Sequence, residues 1–208
     1  MYARYIKRVV DILLGLIAAV LLMVPMVMIG IIIKIDDPKG KVIFKQTRIG
    51  RNGKRFKILK FRTMRSDTPK HLPNNCMTPE EYDKYTTKIG RWLRKTSVDE
   101  LPQIYNIIKG DMSWVGPRPV IEKEVGLLNA RRSAGLEPFR PGLTGWAQIN
   151  GRNKLTDEEK ADFDAQYVGK ISLLFDLVCM WKTLPLVISK SGFTEGCERI
   201  DRITDFEE

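Results

Sequence analysis

The sequence predicts an α+β fold that is mainly helical: a re-entrant membrane helix, a short basic β-hairpin, and interfacial amphipathic helices around a compact cytoplasmic domain. Two patterns carry most of this prediction. Residues 12–33 form an uncharged apolar run, and residues 42–64 mix apolar and basic residues around two turn glycines. Helix-start signals recur along the rest of the chain. We therefore expect a membrane anchor at 1–36, a main domain at 37–192 and a loosely ordered tail at 193–208.

The chain carries a strong excess of positive charge. Lysine and arginine number 35 against 25 aspartate and glutamate residues, which gives a formal net charge of +10 over 208 residues. Such an excess indicates phosphate-rich partners, namely nucleic acid, anionic lipid or a nucleotide, without choosing among them.

The few cysteines and the single histidine limit which disulfides and metal sites can be expected. The three cysteines, Cys76, Cys179 and Cys197, are scattered, and His71 is the single histidine. A disulfide framework and a Cys/His zinc site are therefore not expected, and a reducing cytoplasm suits the chain. Any metal ion would be Mg²⁺ held by carboxylate and phosphate oxygens.

The apolar run at 12–33 is long enough to cross a bilayer. Its 22 residues span about 33 Å as a straight helix, and a cleaved signal peptide is disfavoured because the run is too long. Basic residues flank both ends, so the positive-inside preference draws both ends towards the cytoplasm. Pro25 interrupts the run. We expect a helix that enters one leaflet, bends near Pro25 and returns; an ordinary single span containing a proline is the alternative.

Residues 42–64, VIFKQTRIGRNGKRFKILKFRTM, predict a β-hairpin with Gly50 and Gly53 in its turn. Most of its lysines and arginines are expected on a solvated strand face. Residues 66–78 contain two prolines and mainly polar residues, which predicts a loop.

Two helix starts follow from the local sequence beyond the hairpin. Residues 78–81, TPEE, and Thr156 with Glu159 begin helices with cap residues that we expect to be structural. Residues 171–188 are apolar but are interrupted by charges and a proline. We interpret them as one or two helices lying in the membrane interface, with a buried core helix as the alternative.

An acidic pair occurs in SVDELPQ (97–103), directly after a basic run. Its structural interpretation is helix capping, because Ser97 with Glu100 forms a capping box and apolar residues recur at helical spacing up to Gly110. Its chemical interpretation is catalysis by Asp99 and Glu100. The two interpretations are compatible, since a helix N-terminus favours an anionic group.

Two arginines lie in rigidly framed turns. Arg118 stands between two prolines in GPRP, which restrict the backbone and fix the direction of the guanidinium, as suits a bidentate grip on phosphate. Arg152 in NGRN offers the same chemistry. For each arginine taken alone, a tight turn with a solvent-facing side chain is the favoured interpretation. Their combination with the acidic pair and a membrane segment favours phosphate chemistry.

Four motifs follow the apolar segment in a fixed order: KFRTM, SVDELPQIYNIIKGDMSWVGPRP, RPGLTGWAQINGRN and DAQYV. In this arrangement the sequence resembles the small monotopic phosphoglycosyl transferases, the bacterial sugar transferase family, from about residue 1 to 192. Members of that family move a sugar-1-phosphate from a UDP-sugar to polyprenyl (undecaprenyl) phosphate at the cytoplasmic face of the bacterial inner membrane. They release UMP and begin glycoconjugate assembly.

The resemblance implies partners, a cofactor and a membrane topology. We expect a UDP-sugar, polyprenyl phosphate and anionic membrane lipid as partners, Mg²⁺ as cofactor, and no nucleic acid; a homo-oligomer is compatible with this. The family's N-terminal helix is re-entrant and breaks at a proline, which matches Pro25. A serine usually precedes that proline, whereas Val24 stands here, so the break should be less sharp.

The resemblance assigns Asp99 as the nucleophile and as a ligand of Mg²⁺. The neighbouring residues agree, because a helix N-terminus and Arg91, Arg94 and Lys95 should keep its carboxylate ionised. Glu100 points about 100° away around a helix, and we expect it to take the proton from the incoming lipid phosphate.

Further residues are expected around the substrate. Arg118 should hold the diphosphate, and Asp164 should orient the metal ion or the substrate. The candidates for contact with phosphate or uridine are Lys60, Arg62, Arg94 and Arg152.

Other classes of protein make different demands on these residues. A membrane-tethered basic module that binds anionic lipid or nucleic acid would need the charges but neither Asp99 nor Mg²⁺. A glycoside hydrolase is set aside, because adjacent residues on one helix cannot flank a sugar from opposite sides at about 5 Å or more. In its compact length the chain resembles those members of the family that act on N-acetylated amino sugars. LTD at 155–157 replaces the family's ISW, so sugar and acceptor preferences do not carry over there.

Overall fold

The computed structural model describes residues 2–69, 78–151 and 155–188 of the chain. The helices are α1 Lys7–Asp36, α2 Pro79–Tyr85, α3 Lys88–Lys95, α4 Gln103–Lys109, α5 Val125–Ser133, α6 Trp146–Asn150, α7 Asp157–Gly169 and α8 Leu173–Ile188. The strands are β1 Ile43–Ile49, β2 Arg55–Phe61, β3 Ser113–Val115 and β4 Gly142–Thr144. Helices dominate the described part of the chain, and the prediction of a mainly helical α+β fold is confirmed.

Some predicted features fall outside this description. The tail at 193–208 and most of the predicted loop at 66–78 lie outside the described residues, as do His71, Cys76 and Cys197. The division of the chain into anchor, main domain and tail stays a prediction.

The predicted membrane segment forms one 30-residue helix, α1, which runs through Pro25 as a single element. Within the described ranges it is the one helix that is long and apolar enough to cross a membrane. Little of it is buried within the protein, and large apolar side chains such as Val20 and Leu21 are exposed along its middle. The core helix of a soluble protein would bury such residues. The bend near Pro25 and the re-entrant path stay predictions.

Both ends of α1 contact the rest of the protein. Near its start, the Arg8 guanidinium donates to the carbonyl oxygens of Ile107 and Ile108 at 2.7 and 2.8 Å, which caps the C-terminus of α4. Near its end, Ile33 packs in a buried cluster with Phe61 and Leu93. These two contact points lie about 37 Å apart along the axis of a straight helix.

Buried carboxylates fasten the N-terminal part of the chain to the main domain. Asp11 on α1 accepts a hydrogen bond from the Ser113 hydroxyl at 3.0 Å. Asp176 on α8 accepts from the Tyr2 hydroxyl at 2.7 Å and from the Lys7 ammonium at 2.6 Å. The start of α1 is therefore fixed by polar contacts as well as by packing.

Strands β1 and β2 form the predicted antiparallel hairpin, paired from Ile43 opposite Phe61 to Ile49 opposite Arg55. Gly53 in the turn has a φ of +72°, a conformation that favours glycine. One face of the hairpin packs against α4, so β2 runs beside the turn that carries the acidic pair.

A second, parallel sheet was not predicted. β3 pairs with β4, with Ser113 opposite Gly142 and Val115 opposite Thr144. A Cβ atom added at Gly142 would lie 2.1 Å from the Gly116 backbone nitrogen, so this close approach requires glycine. The pairing brings the GPRP turn next to the RPGLTG segment.

Two predicted helix starts are confirmed. The Thr78 and Thr156 side chains each accept a hydrogen bond from the backbone N–H three residues later. Glu81 and Glu159 complete the two capping boxes.

The capping box predicted at Ser97 is wrong. Ser97 has left-handed backbone angles (φ 56°, ψ 15°) and makes no capping hydrogen bond. Val98–Glu100 form a short 3-10 turn, and α4 begins only at Gln103. The Glu100 carboxylate instead accepts a hydrogen bond from Lys60 on β2, so a tertiary partner has replaced the local one.

Residues 173–188 form one helix, α8, that continues through its internal proline. Asp176 and Cys179 lie on its buried side, whereas Leu174 and Trp181 are exposed. This two-sided character does not fit a fully buried core helix, and it is what a helix in the membrane interface requires. Its placement in that interface stays a prediction.

Candidate active site

The acidic pair lies in the 3-10 turn between α3 and α4, beside strand β2. Asp99 is buried, with 8% of its surface exposed, whereas Glu100 is partly exposed. The Lys60 ammonium donates to Glu100 Oε1 at 2.7 Å across a separation of 40 residues. The structure thus brings together Lys60, Asp99 and Glu100, three of the residues expected at the site.

The electrostatic environment of Asp99 differs from the one expected. Burial raises the pKa of its carboxyl to about 6, against the attraction of Lys60 and Arg94, and the Glu100 charge raises it further. Arg91 points elsewhere and donates to Asp83 Oδ1 at 2.7 Å. Of the three basic neighbours named from the sequence, Arg94 is among the groups that lower this pKa, but loss of hydration outweighs the attraction of Arg94 and Lys60. Asp99 is still mainly ionised at neutral pH.

A narrow cavity beside this turn has a volume of about 20 Å³, room for about one water molecule. Its walls include Arg48, Lys60, Glu100 and Arg118, so three cations face one carboxylate. An excess of positive charge attracts an anion, and this volume admits one oxygen of a phosphate group but not the whole group. Asp99 does not line this cavity, but it is the residue next to Glu100.

Arg118 is exposed in the turn after β3 and lines both this cavity and a larger one. The larger cavity has a volume of about 290 Å³, close to the lower limit for small-molecule sites. Its walls combine apolar side chains such as Leu136 and Phe139 with the arginines Arg131 and Arg132. Arg118 therefore stands where a group held in the small cavity would meet one held in the large cavity.

Asp164 is buried in α7, with 1% of its surface exposed. Arg131 donates to its Oδ2 from Nε and Nη2 at 2.9 and 2.6 Å, and also donates to the Arg118 carbonyl oxygen at 2.7 Å. Burial raises the pKa of the Asp164 carboxyl, and Arg131 opposes that rise. This arrangement favours a positioning role over direct contact with metal or substrate, because Asp164 fixes Arg131, which in turn holds the backbone at Arg118.

Arg62 and Arg94 are engaged with protein groups. Arg62 donates to Asp37 through Nη1 to Oδ2 at 2.7 Å and through Nη2 to the carbonyl oxygen at 2.8 Å, which fastens the end of α1 to β2. Arg94 Nε donates to Thr63 Oγ1 at 2.8 Å. Neither arginine lines the two cavities described above. Arg94 still acts on Asp99 through its charge. Arg152, the remaining candidate, lies outside the described residues.

Arg48 also belongs to the site. In the sequence it is one of several basic residues that follow the apolar segment, and nothing there marks it as a site residue. Its Nη1 donates to the Pro119 carbonyl oxygen at 3.3 Å and its Nη2 to Gln46 Oε1 at 2.7 Å. Burial lowers the pKa of its guanidinium, and the nearby charge of Arg118 acts in the same direction. Because Pro119 is 71 residues away, no local spacing in the sequence links these groups.

Two glutamines on the wall of the small cavity were also missed. Gln103, at the start of α4, is 2% exposed, and its Nε2 has no hydrogen-bond partner among the described residues. Gln148 in α6 likewise has an unpartnered Oε1. Gln103 is part of the SVDELPQ motif, which was the available signal for its position.

The donor chemistry suits Mg²⁺ that is held partly by substrate. Among the described residues no group of three or more His, Cys, Asp or Glu side chains is placed to hold a metal ion. Mg²⁺ in proteins is commonly bound by one or two carboxylates together with substrate phosphates. Asp99 therefore fits as one ligand, with the remaining positions left to phosphate oxygens and water.

Comparison with known proteins gives a consistent set of relatives. Residues 2–190 match the family model of bacterial sugar transferases. The chain is 40% identical over 198 residues to the exopolysaccharide production protein ExoY of Sinorhizobium fredii, which covers 89% of this chain and 87% of the relative.

Two further relatives are longer than this chain. The galactosyl transferase CpsE of Streptococcus agalactiae is 42% identical over 195 residues, which is 89% of this chain but 43% of the relative. The UDP-glucose:undecaprenyl-phosphate glucose-1-phosphate transferase of Escherichia coli is 37% identical over 190 residues, 87% of this chain and 40% of the relative. The similarity thus covers nearly all of this chain and less than half of these two relatives.

Proposed function

The chain belongs to the bacterial sugar transferase family, and from this premise we propose that it transfers a sugar-1-phosphate from a UDP-sugar to polyprenyl phosphate. The products are UMP and a polyprenyl-diphosphate-sugar, the starting point of a glycan. One observation carries the proposal: buried Asp99 directly precedes Glu100, which pairs with Lys60 on the wall of a cationic cavity that Arg118 also lines.

In the first half-reaction, a carboxylate oxygen of Asp99 attacks the phosphorus that carries the sugar. A bond forms between that phosphorus and Asp99, the P–O bond of the diphosphate breaks, and UMP leaves with the bonding electron pair. A pKa of about 6 keeps Asp99 ionised at neutral pH, so it can attack without first losing a proton. Arg118 holds the diphosphate, where charge builds during the transfer.

In the second half-reaction, an oxygen of polyprenyl phosphate attacks the same phosphorus and the Asp99 carboxylate leaves. Glu100 takes the proton from a lipid phosphate that arrives protonated. Mg²⁺ bound to Asp99 and the phosphates would neutralise charge on their oxygens. Asp164 contributes indirectly, through Arg131 and the backbone at Arg118.

We further propose that the protein is monotopic and lies at the cytoplasmic face of the bacterial inner membrane. The contacts of Arg8 and Ile33 with the main domain support this, because they lie about 37 Å apart along α1, more than the hydrocarbon core of about 30 Å. A domain confined to one side of the bilayer would not reach both ends of a helix that crosses it directly. Exposed apolar side chains on α8, such as Trp181, would lie in the interface of the same leaflet.

The proposal is tested by UMP release from the full chain in lipid nanodiscs with undecaprenyl phosphate, Mg²⁺ and a panel of UDP-sugars. The panel should include UDP-glucose and UDP-galactose, since the names of two relatives carry these sugars, as well as N-acetylated amino sugars. We expect at least one UDP-sugar to give turnover that Asp99→Asn abolishes. A membrane-tethered binding module would release no UMP, and turnover in Asp99→Asn equal to the wild type would contradict the proposed site.

A further inference from the structure

The small cavity contains two buried N–H donors that lack an acceptor. Arg48 Nε and Gln103 Nε2 both belong to side chains on its wall, and neither has a hydrogen-bond partner among the described residues. A buried donor without an acceptor costs folding free energy, so such groups are rare unless something else occupies the acceptor position. The missing partner is an acceptor, and two such donors on side chains that line one cavity indicate a ligand with an acceptor oxygen.

The charges around the cavity indicate whether the oxygen of the ligand is neutral or anionic. Arg48, Lys60 and Arg118 supply three positive charges, and Glu100, the one acidic side chain on the wall, is already hydrogen-bonded to Lys60. The acidic group nearest to Arg48 by distance is Glu124, whose carboxylate is 3.7 Å away. Arg48 and Lys60 thus each have a carboxylate partner, whereas Arg118 makes no ion pair among the described residues, so the wall keeps one positive charge that favours an anionic oxygen.

The Arg48 side chain is also held in a fixed orientation. Hydrogen bonds to the Pro119 carbonyl oxygen and to Gln46 engage its two terminal nitrogens and leave Nε unpartnered. Gln103 is fixed by burial at the start of α4. Neither side chain needs to be ordered again when an anion binds, which lowers the entropic cost of binding.

We propose that the small cavity receives one oxygen of the phosphate that does not carry the sugar, held by Arg48 and Gln103 with Arg118 beside it: first an oxygen of the UMP phosphate, then an oxygen of the polyprenyl phosphate. This inference rests on the proposed function. The leaving and entering oxygens of the two half-reactions bond to the same phosphorus on the side opposite Asp99, so one phosphate site serves both in turn.

Equilibrium binding of UMP and of uridine to the full chain, without UDP-sugar, tests the proposal and involves no turnover. The wild type should bind UMP more tightly than uridine. Arg48→Lys keeps the charge but removes Nε–H, and Gln103→Leu keeps the approximate size but removes the donor. We expect each to weaken UMP binding about tenfold or more and to leave uridine binding unchanged. Arg65→Lys, at the exposed ion pair with Asp67, is the matched control and should change neither.

Thermal unfolding distinguishes a ligand-binding role from a structural one. Gln103→Leu replaces an unsatisfied buried donor with an apolar group, so its unfolding temperature should be equal to or above that of the wild type. If Arg48→Lys does not fold, UMP binding by Gln103→Leu alone tests the proposal. UMP binding as tight as the wild type in a folded Gln103→Leu variant would overturn the inference.

Two outcomes separate this inference from the function on which it rests. A wild type that binds UMP no better than uridine overturns both, whereas a wild type that prefers UMP while both variants bind it normally overturns this inference alone. For the second half-reaction, farnesyl phosphate should displace UMP from the wild type and farnesol should not. Absence of displacement by farnesyl phosphate would overturn the shared site.

Discussion

Folding and the proposed reaction favour opposite protonation states of Asp99. It is 8% exposed, and burial raises the pKa of its carboxyl to about 6, so ionising it costs free energy at neutral pH. The attack on phosphorus that we propose for Asp99 nevertheless needs the ionised form. A nucleophile in this setting should lower stability, which is common for functional groups in enzymes.

We predict that Asp99→Asn stabilises the protein at pH 8, on the order of 1–3 kcal/mol, because the amide removes a buried charge. The wild-type carboxyl becomes protonated as the pH falls through about 6, so the gain should shrink below that pH and vanish near pH 4, where the unfolded chain is also protonated. Denaturant unfolding at both pH values measures it. Asp83→Asn, at an exposed ion pair with Arg91, is the control and should change stability little. A loss of stability in Asp99→Asn at pH 8 would show that the buried charge of Asp99 does not destabilise the folded protein.

Arg118→Lys tests the grip on the diphosphate. Lysine keeps the charge but cannot make two parallel hydrogen bonds to phosphate, so we expect turnover to fall about tenfold or more in a folded, membrane-bound protein. Arg91→Lys, away from both cavities, should retain activity. Steady-state UMP release compares them. Near-normal turnover in Arg118→Lys would leave Arg118 as only a residue of a tight turn.

The sequence could indicate which residue types carry the chemistry, but not their partners in space. Asp99, Glu100 and Arg118 stand in distinctive local motifs, and Lys60 lies in KFRTM. The binding of Asp164 by Arg131 joins residues 33 positions apart, and no periodicity encodes such a pair. The same limit applies to the wall of the small cavity, whose members come from both strands of the hairpin and from distant turns.

Elements whose signals are local were predicted well. The hairpin and the capping boxes at Thr78 and Thr156 depend on residues within a few positions of each other. The capping box at Ser97 failed because Glu100 found a partner on another strand, at Lys60. The parallel pairing of β3 with β4 was not predictable in this way, because strands of three residues show no usable alternation.

The prediction about membrane topology concerns the two ends of helix α1. We expect a cysteine at Ala3 and one at Glu80 to be labelled by a membrane-impermeant maleimide only after the inner membrane is opened, because both should face the cytoplasm. Each cysteine is introduced into a variant in which Cys76 and Cys197 have been replaced. Cys179 can stay because it is buried. A cysteine at Val20, exposed in the middle of α1, should resist labelling in both states.

Labelling at position 3 from the periplasmic side, with position 80 protected, would contradict the re-entrant path. Pro25→Leu should push some molecules towards a spanning form, because it restores a backbone hydrogen bond and removes the steric clash within the helix. The same labelling at position 3 detects that fraction.

The whole molecule combines a long helix with exposed apolar side chains and a candidate site assembled from separate segments. The hairpin supplies Arg48 and Lys60, the turn before α4 supplies the acidic pair, and the turn after β3 supplies Arg118. Both ends of α1 are fixed to this main domain, which would hold the site close to the membrane surface where a lipid phosphate arrives. The family and the general reaction could be inferred from motif order, whereas the identity of the sugar depends on cavity walls that only the folded chain defines.

The covalent role of Asp99 is the central claim, and intact-protein mass spectrometry tests it most directly. Incubation with a turned-over UDP-sugar and Mg²⁺, without lipid acceptor, should release about one UMP per enzyme and add one sugar-phosphate to the peptide that contains Asp99. Asp99→Asn should fold, stay in the membrane and gain no mass, whereas Glu100→Gln should form the adduct and lose it slowly when acceptor is added. A wild type that turns over the same UDP-sugar without ever carrying the adduct would contradict the account.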